Sequence, residues 1–177
     1  MGTICQNQIR AIAHNALARQ PIRGQHPAGI KRIVANTHHL ADQITPHLKS
    51  RDVLLSHEAS EILDTGGGLR KARSLLGENT VVTINPDVAW AGPNPIRALL
   101  DAWSPDMSAL LLLVPLPSAN TTRTTGDFSL EKGRIARKGV WIYTGAQIIN
   151  MNRIDEIDRD VFSLNCLLYT SPSPRDS

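Results

Sequence analysis

The chain has 177 residues, of which 41% are hydrophobic and 20% charged, and its formal net charge is +3. This composition suffices for the core of one domain, and no apolar run is long enough to cross a membrane. The two cysteines, Cys5 and Cys166, stand near opposite ends, and no cluster of cysteines or histidines has the spacing of a zinc site. We therefore expect no disulfide, no thiol nucleophile and no transition-metal site, and, without a signal peptide, a cytoplasmic protein.

The positive charge is concentrated at the amino terminus. Residues 1–32 contain no acidic residue and five basic ones, namely Arg10, Arg19, Arg23, Lys31 and Arg32. A transit peptide, a nucleic-acid-binding arm, a reading-frame error and a truncated gene all fit this pattern, and the lack of serine argues against the transit peptide. Apolar residues within it share a helical face, which predicts a helix over residues 10–18 that covers the sheet weakly.

Strands and helices alternate between residues 32 and 85. The predicted strands cover residues 32–36, 52–58 and 80–85. One predicted helix covers residues 40–48 and has an apolar face. A second follows the glycines at residues 66–68 and ends at Gly77. Such alternation requires parallel strand pairing with right-handed crossovers. Ligands of parallel sheets bind at the carboxyl ends of the strands.

Three consecutive glycines stand at the start of the second of these helices. Residues 64–71 read Asp-Thr-Gly-Gly-Gly-Leu-Arg-Lys. Glycines at a helix N-terminus allow a phosphate or nucleotide to approach the backbone closely, although the same run is also typical of a flexible turn. We expect a bound nucleotide or sugar phosphate there, and we expect valine at Gly67 to obstruct the ligand more than the fold.

Asp87 follows the strand at residues 80–85 and is predicted to project from the same sheet edge as the glycines. A carboxylate beside a phosphate site is a candidate Mg²⁺ ligand, because Mg²⁺ binds one or two carboxylates together with phosphate oxygens and waters. The alternative is a plain turn residue after Pro86.

The second half of the chain predicts further sheet and helix. A helix over residues 95–103 places Trp103 in the core rather than on a nucleobase, and the apolar residues 110–114 form a central strand. An irregular loop follows at residues 115–125, then a hairpin in which Gly133 has a positive φ. A strand over residues 140–143 is expected to deliver Thr144 and Gly145 to the sheet edge.

Several segments occur in the order found in one enzyme family. They are residues 33–44 (Ile-Val-Ala-Asn-Thr-His-His-Leu-Ala-Asp-Gln-Ile), His57-Glu58, Leu63 to Gly68, Asn85-Pro86-Asp87, Gly126-Asp127-Phe128, Tyr143 to Ala146, and Phe162 to Asn165. The chain resembles the sugar-1-phosphate nucleotidyltransferases from about residue 28 to residue 165. Within them it is most similar to the N-acetylmuramate α-1-phosphate uridylyltransferase group, also labelled mannose-1-phosphate guanylyltransferase-like.

This resemblance implies a Rossmann-like α/β sandwich with a mixed, mostly parallel central sheet. It implies transfer of a nucleotidyl group from a nucleoside triphosphate, favouring UTP, to a sugar 1-phosphate, favouring N-acetylmuramic acid 1-phosphate, with release of pyrophosphate. Mg²⁺ is the implied cofactor, peptidoglycan recycling the implied pathway, and neither nucleic acid nor membrane an expected partner. A non-catalytic nucleotide- or sugar-binding regulatory domain of the same fold is the alternative.

The resemblance also assigns residues. Asp87 is the implied catalytic and metal-binding residue. The implied nucleotide-binding residues are Glu58, Thr65, Gly66, Gly67, Gly68 and Asn85. The implied sugar-phosphate residues are Gly126, Asp127, Gly145 and Asn165. Turn or strand-end roles are the alternative for Gly126, Gly145 and Asn165.

The ends of the chain depart from the family pattern. Residues 1–29 lack the first strand, glycine-rich loop and Pro-Lys-Pro segment, so we expect the central sheet to lack its first strand. Residues 166–177 read like a translated adapter of DNA library preparation, which predicts a non-native disordered tail. Residues 30–165 are then a partial nucleotidyltransferase domain, and we expect this chain to be a weakly active or inactive fragment.

Overall fold

The computed structural model describes residues 30–131 and 133–165, together with the backbone of residues 9–13. The expectations for Cys5, Cys166, Arg19, Arg23 and the tail at 166–177 lie outside these residues. In chain order, the elements are β1 (Ile9–Ala13), β2 (Val34–Thr37), α1 (Ala41–Lys49), β3 (Leu54–His57), α2 (Asp64–Lys71), α3 (Arg73–Leu76), β4 (Thr80–Ile84), α4 (Pro95–Ala102), β5 (Ala109–Pro115), β6 (Gly126–Glu131), β7 (Arg134–Gly139), β8 (Trp141–Asn150) and α5 (Asn152–Asp155).

The chain divides into two compact units. The described residues of the first unit are 30–79 and 151–165, and those of the second are 9–13, 80–131 and 133–150. Among the described residues, no helix has both the length and the apolar character needed to cross a membrane.

The second unit is built on a six-stranded sheet. Its order is β1-β5-β8-β6-β7, with β4 also paired to β8. Every residue of β5 from Ala109 to Val114 is buried, as expected for a strand whose residues are all apolar and which is covered on both faces. The predicted mixed α/β fold and the central strand are confirmed.

More ladders of this sheet are antiparallel than the sequence indicated. Among the described strands, β1 and β5 are parallel, whereas β8 runs antiparallel to β4, β5 and β6. The expectation that β4 pairs in parallel with β3 is therefore wrong. Alternation of strands and helices predicts a parallel neighbour, but the long apolar β8 offers β4 a five-residue ladder from Thr80 to Ile84 instead.

The helix predicted over residues 10–18 is wrong for its first residues. Residues 9–13 form β1 and pair in parallel with residues 109–113 of β5. Pairing with the neighbouring edge of β5 satisfies backbone groups in a way that side-chain periodicity does not reveal. The expected absence of the family's first strand stays a prediction, and residues 14–18 lie outside the described part.

Helix α4 covers one face of the sheet. Its start is capped by Asn94, whose side-chain oxygen accepts from the amides of Ile96 (2.9 Å) and Arg97 (3.2 Å). The core beneath it consists of Leu99, Met107, Leu110, Leu112, Ala146 and Ile148. Trp103 packs against this cluster, which confirms its predicted place in the core.

The predicted hairpin is confirmed as β6 and β7, and Gly133 has a φ of 77°. The predicted end of the last strand is wrong, because β8 continues to Asn150 and places Thr144 and Gly145 inside it. A register shift between Leu111 and Leu113 accompanies the positive φ of Gly145, so a bulge lets the strand continue past the glycine.

In the first unit, β2 and β3 pair in parallel around α1, as predicted. The apolar face expected on α1 is not buried: Leu40 and Ile44 are 54% and 45% exposed. The two-stranded β2–β3 sheet offers a helix little surface. The glycine-rich region is helical as predicted, divides into α2 and α3, and ends at Gly77 with a φ of 69°.

Candidate functional site

The predicted site residues fall in both units, and each group is described by itself. The first unit contains Glu58, Thr65, Gly66, Gly67, Gly68 and Asn165. The second unit contains Asn85, Asp87, Gly126, Asp127 and Gly145.

Glu58 is a buried carboxylate immediately after β3, and its residue is only 6% exposed. Its Oε1 accepts from Nδ2 of Asn36 and its Oε2 accepts from the amide of Leu63, both at 2.8 Å. A buried charge is tolerated when its oxygens are hydrogen-bonded in this way. Glu58 thus fixes the course of the loop that leads to the glycines.

Gly68 completes the arrangement around Glu58. A Cβ at this position would overlap Nδ2 of Asn36 and lie 2.6 Å from Oε1 of Glu58. The close approach of α2 to this pair requires glycine, so the side chains of the protein itself account for its presence. Asn36 is not among the residues predicted from the sequence to form the site, although its position at the end of a predicted strand was a usable signal.

The first amides of α2 are already bonded within the protein. The amides of Gly66 and Gly67 both donate to the carbonyl of Phe162, at 2.8 and 3.1 Å, and the amide of Thr65 donates to the carboxylate of Asp64. The amide of Phe162 in turn donates to the carbonyl of Leu63 at 3.2 Å. The expectation of open amides for an anion is therefore not supported, because a main-chain carbonyl satisfies two of them.

Gly66 and Gly67 face protein rather than open space. A Cβ on Gly66 would overlap the ring of Phe162 and lie 2.8 Å from its carbonyl oxygen, and one on Gly67 would overlap the carbonyl oxygen of Asp160. The expectation that valine at Gly67 disturbs a ligand more than the fold is wrong in its premise. Backbone contact, which sequence does not display, occupies the space.

Thr65 lies close in space to Asn165. The Thr65 hydroxyl oxygen accepts from the amide of Leu164 at 2.9 Å and lies 3.4 Å from the hydroxyl of Ser163. The amide of Asn165 donates to the Ser163 hydroxyl at 3.2 Å, and Asn165 itself is exposed. In the first unit, Thr65, predicted to bind the nucleotide, is therefore connected through Ser163 and Leu164 to Asn165, predicted to bind the sugar phosphate.

Asn85 and Gly145 meet in the second unit. The amide of Asn85 donates to the carbonyl of Gly145 at 3.2 Å, and a Cβ on Gly145 would lie 2.7 Å from Cγ of Asn85. With its φ of 77°, Gly145 adopts a conformation that favours glycine. This glycine lets the Asn85 side chain lie directly over β8, so the structure brings these two predicted residues together.

Asp87 lies in the turn after β4 and is exposed, and it forms no hydrogen bond or ion pair with the described residues. Its carboxylate fits the role of one Mg²⁺ ligand, since the ion takes its other ligands from phosphate oxygens and waters. Among the described residues, no group of three or more His, Cys, Asp or Glu forms a preassembled metal site. Asp87 was predicted to share a sheet edge with the glycines because β4 was expected to be a parallel strand. Since β4 runs antiparallel to β8, that argument no longer holds.

Asp127 and Gly126 hold the start of β6 against β8. The Asp127 carboxylate accepts from the amide of Tyr143 at 2.9 Å and forms an ion pair with Arg123. A Cβ on Gly126 would lie 2.6 Å from backbone atoms of Trp141. These contacts give both residues a role in strand pairing, and their contact with a sugar phosphate stays a prediction.

Two solved structures share this fold. HddC from Yersinia pseudotuberculosis, solved complexed with GMP-PN, matches with a TM-score of 0.63 and 17% identity, over 93% of this chain and 87% of that one. The inositol-1-phosphate CTP transferase from T. maritima matches with a TM-score of 0.61 and 13% identity, over 79% of this chain and 61% of that one. At these identities the matches establish the fold.

A curated enzyme is also similar to the chain in sequence. The chain is 32% identical over 121 residues to the N-acetylmuramate alpha-1-phosphate uridylyltransferase of Caulobacter vibrioides, a match that covers 62% of this chain. The chain spans about half the length of that curated relative, namely 50%. No protein-family model matches the chain. The resemblance to the sugar-1-phosphate nucleotidyltransferases, a family of enzymes, is confirmed by this match and by the shared fold.

Proposed function

We propose that this chain takes part in transferring a uridylyl group from UTP to N-acetylmuramic acid 1-phosphate. The products are the nucleotide sugar and pyrophosphate. The observation that carries the proposal is the 32% identity over 121 residues to an N-acetylmuramate alpha-1-phosphate uridylyltransferase. A place in peptidoglycan recycling and a cytoplasmic location belong to the same proposal.

In this reaction an oxygen of the sugar phosphate attacks the α-phosphorus of UTP. The bond between the α-phosphorus and its bridging oxygen to the β-phosphate breaks, and pyrophosphate leaves with that oxygen. The protein contributes mainly in-line positioning and charge. Asp87 is the residue that would hold Mg²⁺, because its carboxylate is exposed and forms no ion pair within the described chain. Bound Mg²⁺ would neutralise phosphate charge.

On the nucleotide side, we assign binding to the stretch from Glu58 to Gly68. The Phe162 carbonyl takes the amides of Gly66 and Gly67, so the exposed Asp64 and Thr65 are the groups that a nucleotide reaches without displacing the chain. Glu58 supports this stretch by accepting a hydrogen bond from the amide of Leu63. Asn85 supplies a further contact with the nucleotide in the second unit.

The sugar 1-phosphate is assigned to Gly126, Asp127, Gly145 and Asn165. The bond between Asn85 and Gly145 supports a shared role for these two positions, since movement of one moves the other. Asn165 is exposed and is supported from behind by Ser163.

A non-catalytic nucleotide- or sugar-binding regulatory domain is the second candidate. The engaged amides of Gly66 and Gly67 favour it, because a helix start that is closed by the Phe162 carbonyl offers less to a phosphate. Both candidates predict binding, and only the first predicts pyrophosphate release.

Calorimetric titration and a pyrophosphate assay test the proposal on the full 177-residue chain. We expect UTP to bind in the presence of Mg²⁺ more tightly than CTP or GTP, and N-acetylmuramic acid 1-phosphate to bind more tightly than glucose 1-phosphate. We expect turnover by this chain to be slow. Binding of both without any pyrophosphate release supports the regulatory domain, and binding of neither overturns both candidates.

A further inference from the structure

The Arg70 side chain contacts a distant part of the first unit at several points. From α2, its guanidinium donates to the carbonyls of Ile157 (2.7 Å) and Arg159 and to the carboxylate of Asp160 (3.1 Å). It also lies over the ring of Phe162, 5.1 Å from the ring centroid. The Arg70 side chain is 25% exposed, and its bond to Ile157 is partly buried, whereas its bonds to Arg159 and Asp160 are exposed to solvent.

These contacts fix a segment that ends beside a proposed substrate residue. We call residues 157–164 the strap. Beyond Arg70, the strap is held where Phe162 bonds to Gly66 and Gly67 and where Leu164 donates to the Thr65 hydroxyl. Asn165 follows the strap directly and is exposed. Its position therefore depends on how firmly the strap lies on α2.

Only a guanidinium suits this arrangement. Arginine presents its donors in a rigid planar fork, which allows it to serve two carbonyls two residues apart while its flat face lies over an aromatic ring. A lysine ammonium is a single point of charge and has no flat face, so it replaces one of these bonds at a time.

We propose that Arg70 is a positioning residue for the sugar-phosphate side of the site. It does not touch the sugar; it holds the strap against α2 and thereby places Asn165. The proposal rests on the proposed function, in which Asn165 contacts the sugar 1-phosphate. It predicts that loss of the Arg70 side chain weakens the binding of the sugar phosphate more than the binding of UTP. Loss of a comparable arginine that makes no contact with the strap should not have this effect.

The matched control is Arg73, one turn further along the same helical region. Its side chain is 33% exposed and bonds to Asn79, Asn152 and Asp155, none of which belongs to the strap. Arg70→Met and Arg73→Met therefore remove the same charge from the same region, and Arg70→Lys keeps the charge but loses the planar fork, so the three variants differ in their consequences for the strap.

Amide hydrogen exchange on the full chain, without ligand, gives the first measurement. We expect Arg70→Met to accelerate exchange at Gly66, Gly67 and Leu164 by about tenfold or more, which corresponds to one broken charge-assisted contact. Arg70→Lys should give a smaller acceleration, and Arg73→Met should leave these three amides unchanged. Equal protection of these amides in Arg70→Met and the unmodified chain overturns the proposal whatever the ligands do.

Calorimetry gives the second measurement. In Arg70→Met we expect the Kd of N-acetylmuramic acid 1-phosphate to rise about tenfold and that of UTP with Mg²⁺ to change less than about twofold. Faster exchange with unchanged sugar-phosphate affinity, or an equal loss for both ligands, shows a general structural role and overturns the positioning role. If the unmodified chain binds neither ligand, the proposed function is wrong, and so is the role of Arg70 in binding the sugar phosphate. The exchange data still decide whether Arg70 holds the strap against α2.

Discussion

The glycine-rich helix and the turn that carries Asp87 differ in how the surrounding chain uses their polar groups. At the start of α2, the amides of Gly66 and Gly67 bond to Phe162, and each glycine hydrogen replaces a Cβ that would overlap protein. Asp87, in contrast, is exposed and without a hydrogen-bond or ion-pair partner among the described residues. Both look functional in the sequence, yet the first is committed to the fold and the second is available to a ligand.

This difference has a measurable consequence. Substitutions around α2 should lower the free energy of unfolding before they affect binding, whereas substitution of Asp87 should affect ligand chemistry and leave folding almost unchanged. The following substitutions test that separation, starting with the largest expected effect.

Replacing Asp87 with asparagine should have the largest effect, and only on function. The change keeps the shape and removes the charge that would hold Mg²⁺, so pyrophosphate release by a full-length relative that carries the same motif should fall by a factor of about 10² or more. The free energy of unfolding should change by less than about 0.5 kcal/mol, because the group is exposed. Asp101→Asn, which alters an exposed ion pair with Arg97 on α4, is the matched control. Unchanged Mg²⁺-dependent turnover or UTP binding in Asp87→Asn contradicts the assignment.

Replacing Gly67 with valine should have the opposite character. The new side chain overlaps the carbonyl oxygen of Asp160, so either α2 or the strap must move, at a cost of about 3 kcal/mol in the free energy of unfolding. Ala59→Val places the same isopropyl side chain at an exposed position before α2 and should cost less than about 0.5 kcal/mol. Urea denaturation measures both. A Gly67→Val chain of normal stability with impaired UTP binding restores the ligand-contact interpretation.

The substitution Glu58→Gln tests the buried carboxylate. Glu58 faces two N–H donors, from Asn36 and Leu63, and a glutamine amide offers only one oxygen while placing its NH₂ group against the other donor. We expect a loss of about 2 kcal/mol. In the double substitution Asn36→Asp with Glu58→Gln, the new glutamine NH₂ group can donate to the new aspartate, so the contact between positions 36 and 58 again joins a donor to an acceptor. Asn36 is exposed, so a charge is tolerated there. Stability of the double variant no better than that of Glu58→Gln indicates that the Asn36 bond contributes little.

Local elements of this chain were predictable because their signals are local. The strands β3 to β5, the α4 helix, the hairpin at Gly133 and the helix end at Gly77 follow from periodicity and from glycine or asparagine at fixed offsets. The ordered motifs also predicted the resemblance to the sugar-1-phosphate nucleotidyltransferases. These features need only neighbouring residues to be specified.

Features that depend on distant partners were not predictable. The antiparallel pairing of β4 with β8 joins residues such as Thr80 and Asn150, and Arg70 reaches partners more than eighty residues away. The space around the glycines was misjudged for the same reason, because the sequence shows a missing side chain and not the atom that fills its space, and their contact with a nucleotide stays a prediction. Asn85 and Gly145 were both singled out, but only the structure shows that they touch.

The smallest expected effect belongs to Asp127, which combines both kinds of behaviour. Its carboxylate accepts from the amide of Tyr143 and pairs with Arg123, while the side chain is 25% exposed. Asp127→Asn keeps an oxygen for the Tyr143 amide and loses only the charge facing Arg123, so the free energy of unfolding should fall by about 0.5 kcal/mol, and less at high salt.

If Asp127 also contacts the sugar phosphate, removing its negative charge beside an anionic ligand should leave the affinity for the sugar phosphate equal or raise it. Unfolding at two salt concentrations and titration with N-acetylmuramic acid 1-phosphate separate the outcomes. A rise in affinity at unchanged stability assigns Asp127 to the neighbourhood of the phosphate. A loss of stability that salt does not reduce shows that the Tyr143 bond, rather than the ion pair, holds β6 to β8.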